Sequence, residues 1–212
     1  MYSIIKRLFD FLLSFSLIVL GMPVFLLISL WIIISMGLPV IFSQERTGRN
    51  SRSFMIYKFR TMRERCERYL TDEQRITWTG RTLRSFRLDE LPQLFNILKG
   101  DMSFIGPRPL LPSYLPFYTN EELRRHNVRP GLSGLSQVNH LHYPDWETQF
   151  SDDIEYVNHI CLKTDLIILF KTLQRIAQPH SMKLTNINQR PNFITYRERQ
   201  NHSKLSKITS DH

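Results

Sequence analysis

Cysteine is scarce in this sequence. Cys66 and Cys161 are the two cysteines among 212 residues, and neither belongs to a C-x-x-C pair. Two isolated thiols form neither the disulfide framework of a small secreted domain nor a cysteine-rich zinc site. We therefore interpret both as reduced thiols with structural roles in a protein that faces the cytosol.

Charge is missing from one long segment, because no Lys, Arg, Asp or Glu occurs from Phe11 to Ser43. The run is too long for the apolar region of a signal peptide, and no A-x-A-like cleavage site follows it. As one straight helix, residues 11–42 would measure roughly 48 Å, whereas the hydrocarbon core of a bilayer is about 30 Å thick. The segment is therefore expected to enter a membrane and to bend there.

The bend is expected at Pro23, since proline removes one helical hydrogen bond and clashes with the preceding turn. Gly37 and Pro39 are expected to end the helix. Basic residues precede the segment, at Lys6 and Arg7, and others follow it; positive charge tends to stay on the cytoplasmic side of a membrane. A re-entrant helix that is broken at Pro23 and returns to the same face satisfies both ends. A single tilted span satisfies one end, and a buried core helix is the third alternative.

The formal net charge of +9 indicates anionic partners. Nucleic acid, anionic lipid headgroups and phosphorylated substrates all fit this charge, which does not choose among them. No helix-turn-helix, zinc-finger or RNP pattern is present, so a membrane-tethered nucleic-acid-binding protein is the weaker interpretation.

Outside the apolar segment, the pattern predicts mainly short elements. Pro92 and Gly100 bracket a short helix, since proline suits a first helical turn and glycine a terminator. The other predicted elements are a surface hairpin or strand within 44–62, a charged helix at 63–75, a structured loop at 103–116, a polar helix at 119–127 and a long helix at 150–177. The apolar cluster 166–170 would pack on the core or lie in the bilayer interface, and core packing is favoured. After Pro179 the chain is polar and is expected to be loosely ordered.

Two adjacent carboxylates, Asp89 and Glu90, stand between arginines just before the predicted helix start. An aspartate can attack phosphorus to form an acyl-phosphate and so divide one transfer into two steps. Cations must neutralise the phosphates in such chemistry, and arginine binds phosphate oxygens through two parallel hydrogen bonds. The same pattern also describes a solvated, salt-bridged surface, so spacing alone does not establish an active site.

The sequence contains four longer motifs, YKFRTM at 57–62, LDELPQLFN at 88–96, LKGDMSFIGPRP at 98–109 and VRPGLSGLSQVN at 128–139. Together they resemble the bacterial sugar transferase family, the monotopic polyprenyl-phosphate phosphoglycosyl transferases. The resemblance runs from about Lys6 to Lys171, and the short chain is similar to the minimal members. PLLPSYLP at 109–116 most resembles members that serve glycoprotein glycan assembly with N-acetylated, bacillosamine-type sugars.

The resemblance implies a mechanism and a set of site residues. Asp89 would attack the β-phosphate of a UDP-sugar and release UMP, while Glu90 would assist, as a base toward the incoming polyprenol phosphate. Mg²⁺ would bridge Asp89 and the diphosphate. The residues expected to bind phosphate or nucleotide are Lys58, Arg60, Arg84, Arg108, Arg129 and Gln137.

The resemblance also implies partners and a location. The acceptor would be undecaprenyl phosphate, at the cytoplasmic face of the bacterial inner membrane, in an early step of glycoprotein, capsule, O-antigen or exopolysaccharide assembly. Anionic membrane lipids would contact Lys6 and Arg7, other glycan-assembly enzymes are further possible partners, and nucleic acid is not expected.

The implied fold is α+β and mostly helical. It has a re-entrant membrane helix in residues 1–43, a small cytosolic catalytic domain with interfacial amphipathic helices in 44–178, and a polar tail in 179–212.

Two departures from the family pattern matter. Met22 stands where many members have serine before the helix-breaking proline, which removes a hydroxyl that could bond to freed backbone groups. His140-Leu141 replaces the usual Gly-Arg, which leaves the sugar donor open. A catalytically inactive membrane scaffold for other glycan enzymes remains the alternative function.

Overall fold

The chain is described here from a computed structural model, which covers residues 2–64, 71–140, 144–177 and 190–210. Cys66 and Leu141, named above, lie outside these ranges. The α-helices are α1 (Tyr2–Met36), α2 (Asp72–Arg75), α3 (Trp78–Ser85), α4 (Gln93–Lys99), α5 (Asn120–Leu123), α6 (Leu135–Asn139), α7 (Trp146–Asn158), α8 (Leu162–Ala177) and α9 (Phe193–Ser210). The strands are β1 (Ile41–Thr47), β2 (Ser53–Phe59), β3 (Ser103–Ile105) and β4 (Gly131–Ser133). The fold is therefore mostly helical with two small sheets, as expected.

Helix α1 contains the apolar segment. It has 35 residues, which corresponds to about 52 Å of helix. Pro23 lies inside the helix, which runs from Tyr2 to Met36 as one element, and the bend at this proline stays a prediction. The helix ends at Met36 beside Gly37, which has a φ of +72°, so the predicted C-terminal stop is confirmed. In the part of the chain that the structure describes, α1 is the one helix long and apolar enough to cross a membrane.

The two faces of α1 differ in their surroundings. The buried side chains recur every three to seven residues and lie on one face, at Asp10, Ser14, Ile18, Phe25, Ile28 and Ile32. Asp10 accepts hydrogen bonds from Ser103 Oγ at 3.2 Å and from the Phe104 amide at 3.1 Å. On the other face, Leu27 is 68 % and Ile34 is 77 % exposed. One side of the helix thus packs along the rest of the chain while the other presents apolar side chains outward.

Strands β1 and β2 form the predicted hairpin. They pair antiparallel, from Ile41 opposite Phe59 to Thr47 opposite Ser53. Phe59 is buried against α1, where its ring centroid lies 5.7 Å from that of Phe25. This packing joins the hairpin to α1 and holds β2 beside α4, within one hydrophobic core.

Strands β3 and β4 pair in parallel, although the sequence predicts a loop for 103–116. Gly106 and Gly131 allow two backbones to cross at close range. The Gly106 amide donates to Ser133 O at 2.9 Å, and the Gly131 amide donates to Pro107 O at 2.9 Å. A Cβ atom at Gly131 would lie 2.1 Å from the Gly106 nitrogen, so the crossing requires glycine. The glycines of the third and fourth motifs therefore bring two distant loops together.

The predicted helix at 150–177 is two helices, α7 and α8, separated near His159. Helix α8 buries Ile168 completely, whereas Ile167 is 46 % and Phe170 is 62 % exposed. The apolar cluster therefore divides between core packing and an outward apolar face.

The start of α9 packs on the domain, although the composition of the C-terminal segment predicts loose order. Phe193, the first residue of α9, is fully buried. Its ring centroid lies 5.3 Å from Tyr114, 5.0 Å from Trp146 and 5.2 Å from Phe150. The expectation of a loosely ordered tail is therefore wrong for the start of α9, because one aromatic side chain buries enough surface to hold the segment in place.

We expect Phe193→Ala to lower the free energy of unfolding by roughly 3 kcal/mol, because it removes a buried ring and leaves a cavity among aromatic neighbours. Denaturant unfolding in detergent, followed by tryptophan fluorescence, measures this loss, since Trp146 contacts the ring. Phe193→Leu is the matched control and should cost less. Equal stability of wild type and Phe193→Ala would contradict the packing described.

Candidate active site

Asp89 and Glu90 lie in a short 3-10 helix, Leu88–Glu90, between α3 and α4. Arg87 precedes this turn with a φ of +58° in the left-handed region, where the chain turns out of α3. Gly80 allows α3 to approach the segment after β2 closely, since a Cβ atom there would meet Thr61 O at 1.9 Å. Both carboxylates are 9 % exposed, so local backbone geometry places two acidic groups in a buried position.

Glu90 is held by two cations. Its Oε1 accepts from Lys58 Nζ at 2.6 Å, and Arg108 Nη2 lies 3.8 Å from the same oxygen. Burial raises the pKa of Glu90, but the charges of Lys58, Arg108 and Arg87 outweigh it and lower the pKa to about 2. Glu90 is therefore ionised at neutral pH.

Asp89 has a different environment. Burial raises the pKa of Asp89, and the neighbouring Glu90 charge raises it further, while Lys58, Arg84 and Arg87 act in the opposite direction. Within the described residues, no side chain donates a hydrogen bond or forms a salt bridge to its carboxylate. Adjacent carboxyl groups with pKa values shifted in opposite directions are a frequent sign of a catalytic site.

The two carboxylates open onto a cleft of about 1580 Å³. Lys58, Arg84 and Arg108 line it on the polar side. Leu20 and Val24 of α1 line it as well. The cleft therefore connects a basic wall that bears the two carboxylates with the apolar helix α1.

Two predicted phosphate-binding residues at the cleft are also bonded to the protein. Arg60 donates to the carbonyls of Met36 at 2.7 Å and Leu38 at 3.1 Å, at the end of α1. Arg84 Nε donates to Thr61 Oγ1 at 3.0 Å. Both line the cleft, so these bonds orient their remaining N–H groups.

Gln137 also lines the cleft, and its Oε1 is buried without a hydrogen-bond partner. A buried amide oxygen without a partner is uncommon and marks a position where a ligand group can bond. This feature fits the expected role of Gln137 in substrate binding.

Arg129 is the predicted site residue that the structure does not bring to the carboxylates. It lies in a separate crevice with Arg7 and Arg49, and its Nε donates to Gly100 O at 2.9 Å. Lys6, expected at lipid headgroups, forms an ion pair with Asp165 at 2.5 Å.

Two arginines that support the site escape prediction from sequence. Arg125 is buried, forms an ion pair with Asp153 at 2.7 Å and donates to Arg108 O at 2.7 Å, so it fixes the backbone that carries Arg108. Arg175 lines the cleft and donates to the carbonyls of Gln137 at 2.9 Å and His140 at 2.6 Å. Their partners are distant in the chain, so no local pattern marks them.

The carboxylate pair also supplies oxygen atoms of the kind that bind a metal ion. The described residues contain no group of three or more His, Cys, Asp and Glu side chains arranged to hold one. Mg²⁺, however, commonly binds one or two carboxylates and completes its shell with substrate phosphates and water. Asp89 and Glu90 supply hard oxygen donors of this kind, so the residues present fit a magnesium ion shared with a diphosphate.

Comparison with known proteins identifies the class. The family model described as "Bacterial sugar transferase" matches residues 1–179. The chain is 41 % identical over 186 residues to "Uncharacterized sugar transferase EpsL" of Bacillus subtilis, covering 86 % of this chain and 92 % of the relative.

Two longer relatives have more informative names. "UDP-N-acetylgalactosamine-undecaprenyl-phosphate N-acetylgalactosaminephosphotransferase" of Aeromonas hydrophila is 38 % identical over 190 residues, which cover 82 % of this chain and 44 % of the relative. "Undecaprenyl-phosphate galactose phosphotransferase" of Salmonella typhimurium is 36 % identical over 195 residues, which cover 82 % of this chain and 40 % of the relative. The chain thus spans less than half the length of these two relatives.

The match over most of the chain, together with the carboxylate-bearing cleft, defines a transferase. The chain belongs to the bacterial sugar transferase family.

Proposed function

We propose that the protein transfers a sugar-1-phosphate from a UDP-sugar to undecaprenyl phosphate, releases UMP and uses Asp89 as the covalent nucleophile. The observation that carries this proposal is the contrast between the two carboxylates. Glu90 is ionised and paired with Lys58, whereas Asp89 is buried, has no side-chain partner among the described residues and opens onto the cleft. Longer relatives with undecaprenyl-phosphate phosphotransferase names support the substrate class.

The reaction has two displacements at one phosphorus atom. Asp89 Oδ attacks the β-phosphorus of the UDP-sugar, and the bond from that phosphorus to the oxygen bridging the two phosphates breaks. UMP leaves with that oxygen, and the sugar phosphate remains on Asp89 as an acyl-phosphate. A phosphate oxygen of undecaprenyl phosphate then attacks the same phosphorus, Asp89 leaves as a carboxylate, and undecaprenyl diphosphate sugar forms.

Positive charge at the cleft suits both steps. Lys58, Arg84 and Arg108 line the cleft beside Asp89, where they can stabilise the charge that develops on phosphate oxygens. Asp89, with Glu90 beside it, would hold Mg²⁺, which would supply further charge neutralisation at the diphosphate.

Glu90 has a different role in this proposal from the base implied by the family resemblance. A carboxylate with a pKa near 2 accepts protons poorly at neutral pH. We assign Glu90 to positioning, because its Oε1 holds Lys58 at 2.6 Å and lies 3.8 Å from Arg108. It keeps two cations at the cleft while Asp89 performs the displacement.

The membrane topology in this proposal is re-entrant, with both ends of α1 on the cytoplasmic side. Near the first end, Arg7 donates to the carbonyls of Ile97 at 2.6 Å and Leu98 at 2.8 Å. Near the other end, the Trp31 ring lies 5.7 Å from that of Trp78. Since both ends pack on the domain that carries the active site, a span with its ends on opposite faces would separate one end from its contacts. The apolar outer face of α1 would then be the part immersed in lipid.

Cysteine labelling from each side of inverted and right-side-out vesicles tests this topology. After replacement of Cys66 and Cys161 by serine, single cysteines at Ser3 and Ser43 should both react from the cytoplasmic side. Labelling of the two positions from opposite sides would contradict the re-entrant arrangement and leave the transfer reaction untested, so the two proposals fail separately.

Measurement of UMP release by the purified protein tests the reaction. The donor panel includes UDP-N-acetylgalactosamine, UDP-galactose, UDP-glucose and a UDP-bacillosamine-type sugar, each with Mg²⁺ and with or without undecaprenyl phosphate. One donor is expected to give catalytic UMP and a lipid-linked sugar when the acceptor is present. Absence of UMP with every donor, in protein that remains folded, would favour the inactive scaffold.

A further inference from the structure

A second basic crevice lies apart from the active site. Three arginines, Arg7, Arg49 and Arg129, line one part of it, and apolar side chains of α1 line the rest. Its volume is about 430 Å³, and it shares no lining residue with the cleft at Asp89. Three separate parts of the chain contribute the arginines: α1, the turn between β1 and β2, and the segment before β4.

The protein backbone holds two of these arginines in place. Arg7 Nη1 and Nη2 donate to the carbonyls that end α4, and Arg129 Nε donates to Gly100 O at 2.9 Å. Gly100 also lies close to the guanidinium of Arg7, since a Cβ atom at Gly100 would be 3.1 Å from Arg7 Nη2. A guanidinium has five N–H donors, so these bonds orient the groups and leave further donors for a ligand.

The positive charge of the crevice is not neutralised by a carboxylate contact. Among the described residues, no salt bridge joins Arg7, Arg49 or Arg129 to an acidic group. Burial lowers the pKa of Arg129, and the charges of Arg7 and Arg49 lower it further, while Asp10 alone acts in the opposite direction. Like charges gathered in this way favour the binding of an anion.

The apolar part of the crevice indicates which anion binds. Ile4 is 77 %, Leu8 is 58 % and Phe11 is 43 % exposed, all on the helix that we propose lies in the membrane. A free phosphate ion would use the arginines and leave this surface exposed. A lipid phosphate with acyl chains matches both parts, because its head meets the cations and its chains meet the apolar residues.

We propose that this crevice binds the phosphate headgroup of an anionic phospholipid, such as phosphatidylglycerol, as a site separate from the transfer reaction. The inference rests on the membrane seating of α1 described under the proposed function. The single negative charge of the bound lipid would offset part of the positive charge of the three arginines and hold the first turns of α1 at the membrane surface.

Lipid binding by charge-reversal variants tests the site. Arg49→Glu is the informative change, since Arg7 and Arg129 also bond to the backbone. Arg52→Glu is the matched control: it is a neighbouring exposed arginine outside the crevice and changes the net charge equally. Native mass spectrometry in a neutral detergent, with titration of phosphatidylglycerol, measures binding to the full-length protein.

We expect Arg49→Glu to weaken phosphatidylglycerol binding about tenfold or more, since each cation near an anionic lipid contributes about 1 kcal/mol. Arg52→Glu should change it less than about twofold, and UMP release in detergent should stay at the wild-type level in both. Equal loss in both variants would contradict the site and indicate diffuse charge attraction. Displacement of the lipid by millimolar inorganic phosphate would overturn the lipid assignment and identify a general anion site.

Two further outcomes separate this proposal from the ones on which it rests. The wild-type protein could insert into vesicles of neutral phosphatidylcholine and yet bind phosphatidylglycerol no better than phosphatidylcholine. This result would overturn the lipid site and leave the membrane seating of α1 intact. Failure to associate with either vesicle would overturn the seating of α1 itself, and UMP release would still report the transfer reaction independently.

Discussion

Replacement of Asp89 by asparagine is expected to reduce UMP release by at least about 10³-fold, because the amide cannot form the acyl-phosphate. Asparagine keeps the size and polarity of the side chain, so the loss reports the chemistry rather than the packing. The assay uses the preferred donor with undecaprenyl phosphate and Mg²⁺, and the folded state is checked by thermal unfolding.

The same substitution should raise the Tm. The folded-state pKa of Asp89 is raised, so the wild-type protein loses stability as the pH rises from the ordinary value of 3.8 through the folded-state pKa. Asparagine carries no charge and avoids this loss at neutral pH. A variant with normal UMP release, or one that is inactive because it unfolds, would contradict this account of Asp89.

Glu90→Gln is the matched control, with the opposite effect on stability. The folded-state pKa of Glu90 is lowered from 4.5 to about 2, so its contribution is full above pH 4.5 and is lost as the pH falls toward 2. Loss of this charge leaves Lys58, whose side chain is 22 % exposed, without its partner, which should cost roughly 2 kcal/mol. Opposite shifts of Tm in Asp89→Asn and Glu90→Gln would distinguish the two environments directly.

Replacement of Lys58 by methionine is expected to have the second largest effect, a fall in kcat/KM of roughly 10²-fold or more. Lys58 lies beside the cleft and pairs with Glu90 at 2.6 Å, so its loss removes positive charge from the site of phosphate transfer. Lys99→Met is the control, because Lys99 is a lysine that contacts Tyr57 outside the cleft.

The pH profile makes the Lys58 prediction more specific. Activity requires ionised Asp89, so kcat/KM falls as the pH drops through the pKa of that group. Lys58 lowers the pKa of both Asp89 and Glu90, so Lys58→Met should move the acidic fall in activity to higher pH. An unchanged acidic limb, with lower activity at every pH, would show that Lys58 does not act through the charge of Asp89.

The elements that sequence predicts well are those with local causes. Gly100 ends α4 because its left-handed φ of +96° suits glycine, and the β1–β2 hairpin follows from neighbouring segments. The sequence also predicts the carboxylate pair of the site, since Asp89 and Glu90 are adjacent in the chain. The resemblance to a family, rather than spacing, distinguished them from a charged surface.

The remaining features depend on contacts between distant residues. Arg108 and Arg129 both occur in family motifs. The crossing at Gly106 and Gly131 nevertheless places Arg108 beside Glu90 and Arg129 beside Arg7. The order of the C-terminal segment depends on Phe193 meeting three aromatic rings from other elements. Such pairings have no periodic signal, so composition alone misassigns them.

Helix α1 around Pro23 is another place where tertiary packing adds to what the local sequence predicts. Proline weakens a helix locally, yet α1 continues through it while Ile18, Phe25 and Ile28 pack on the domain. Contacts of the inner face therefore lie on both sides of Pro23, and they depend on residues that are distant in the chain.

The most direct test of the central claim is the mass of the intact protein after incubation with its UDP-sugar and Mg²⁺ but without undecaprenyl phosphate. The account predicts a mass increase of one sugar phosphate, mapped to Asp89, which disappears when undecaprenyl phosphate is added and does not form in Asp89→Asn. An unmodified protein that nevertheless transfers the sugar phosphate in the presence of both substrates would contradict the covalent mechanism and indicate direct transfer between them.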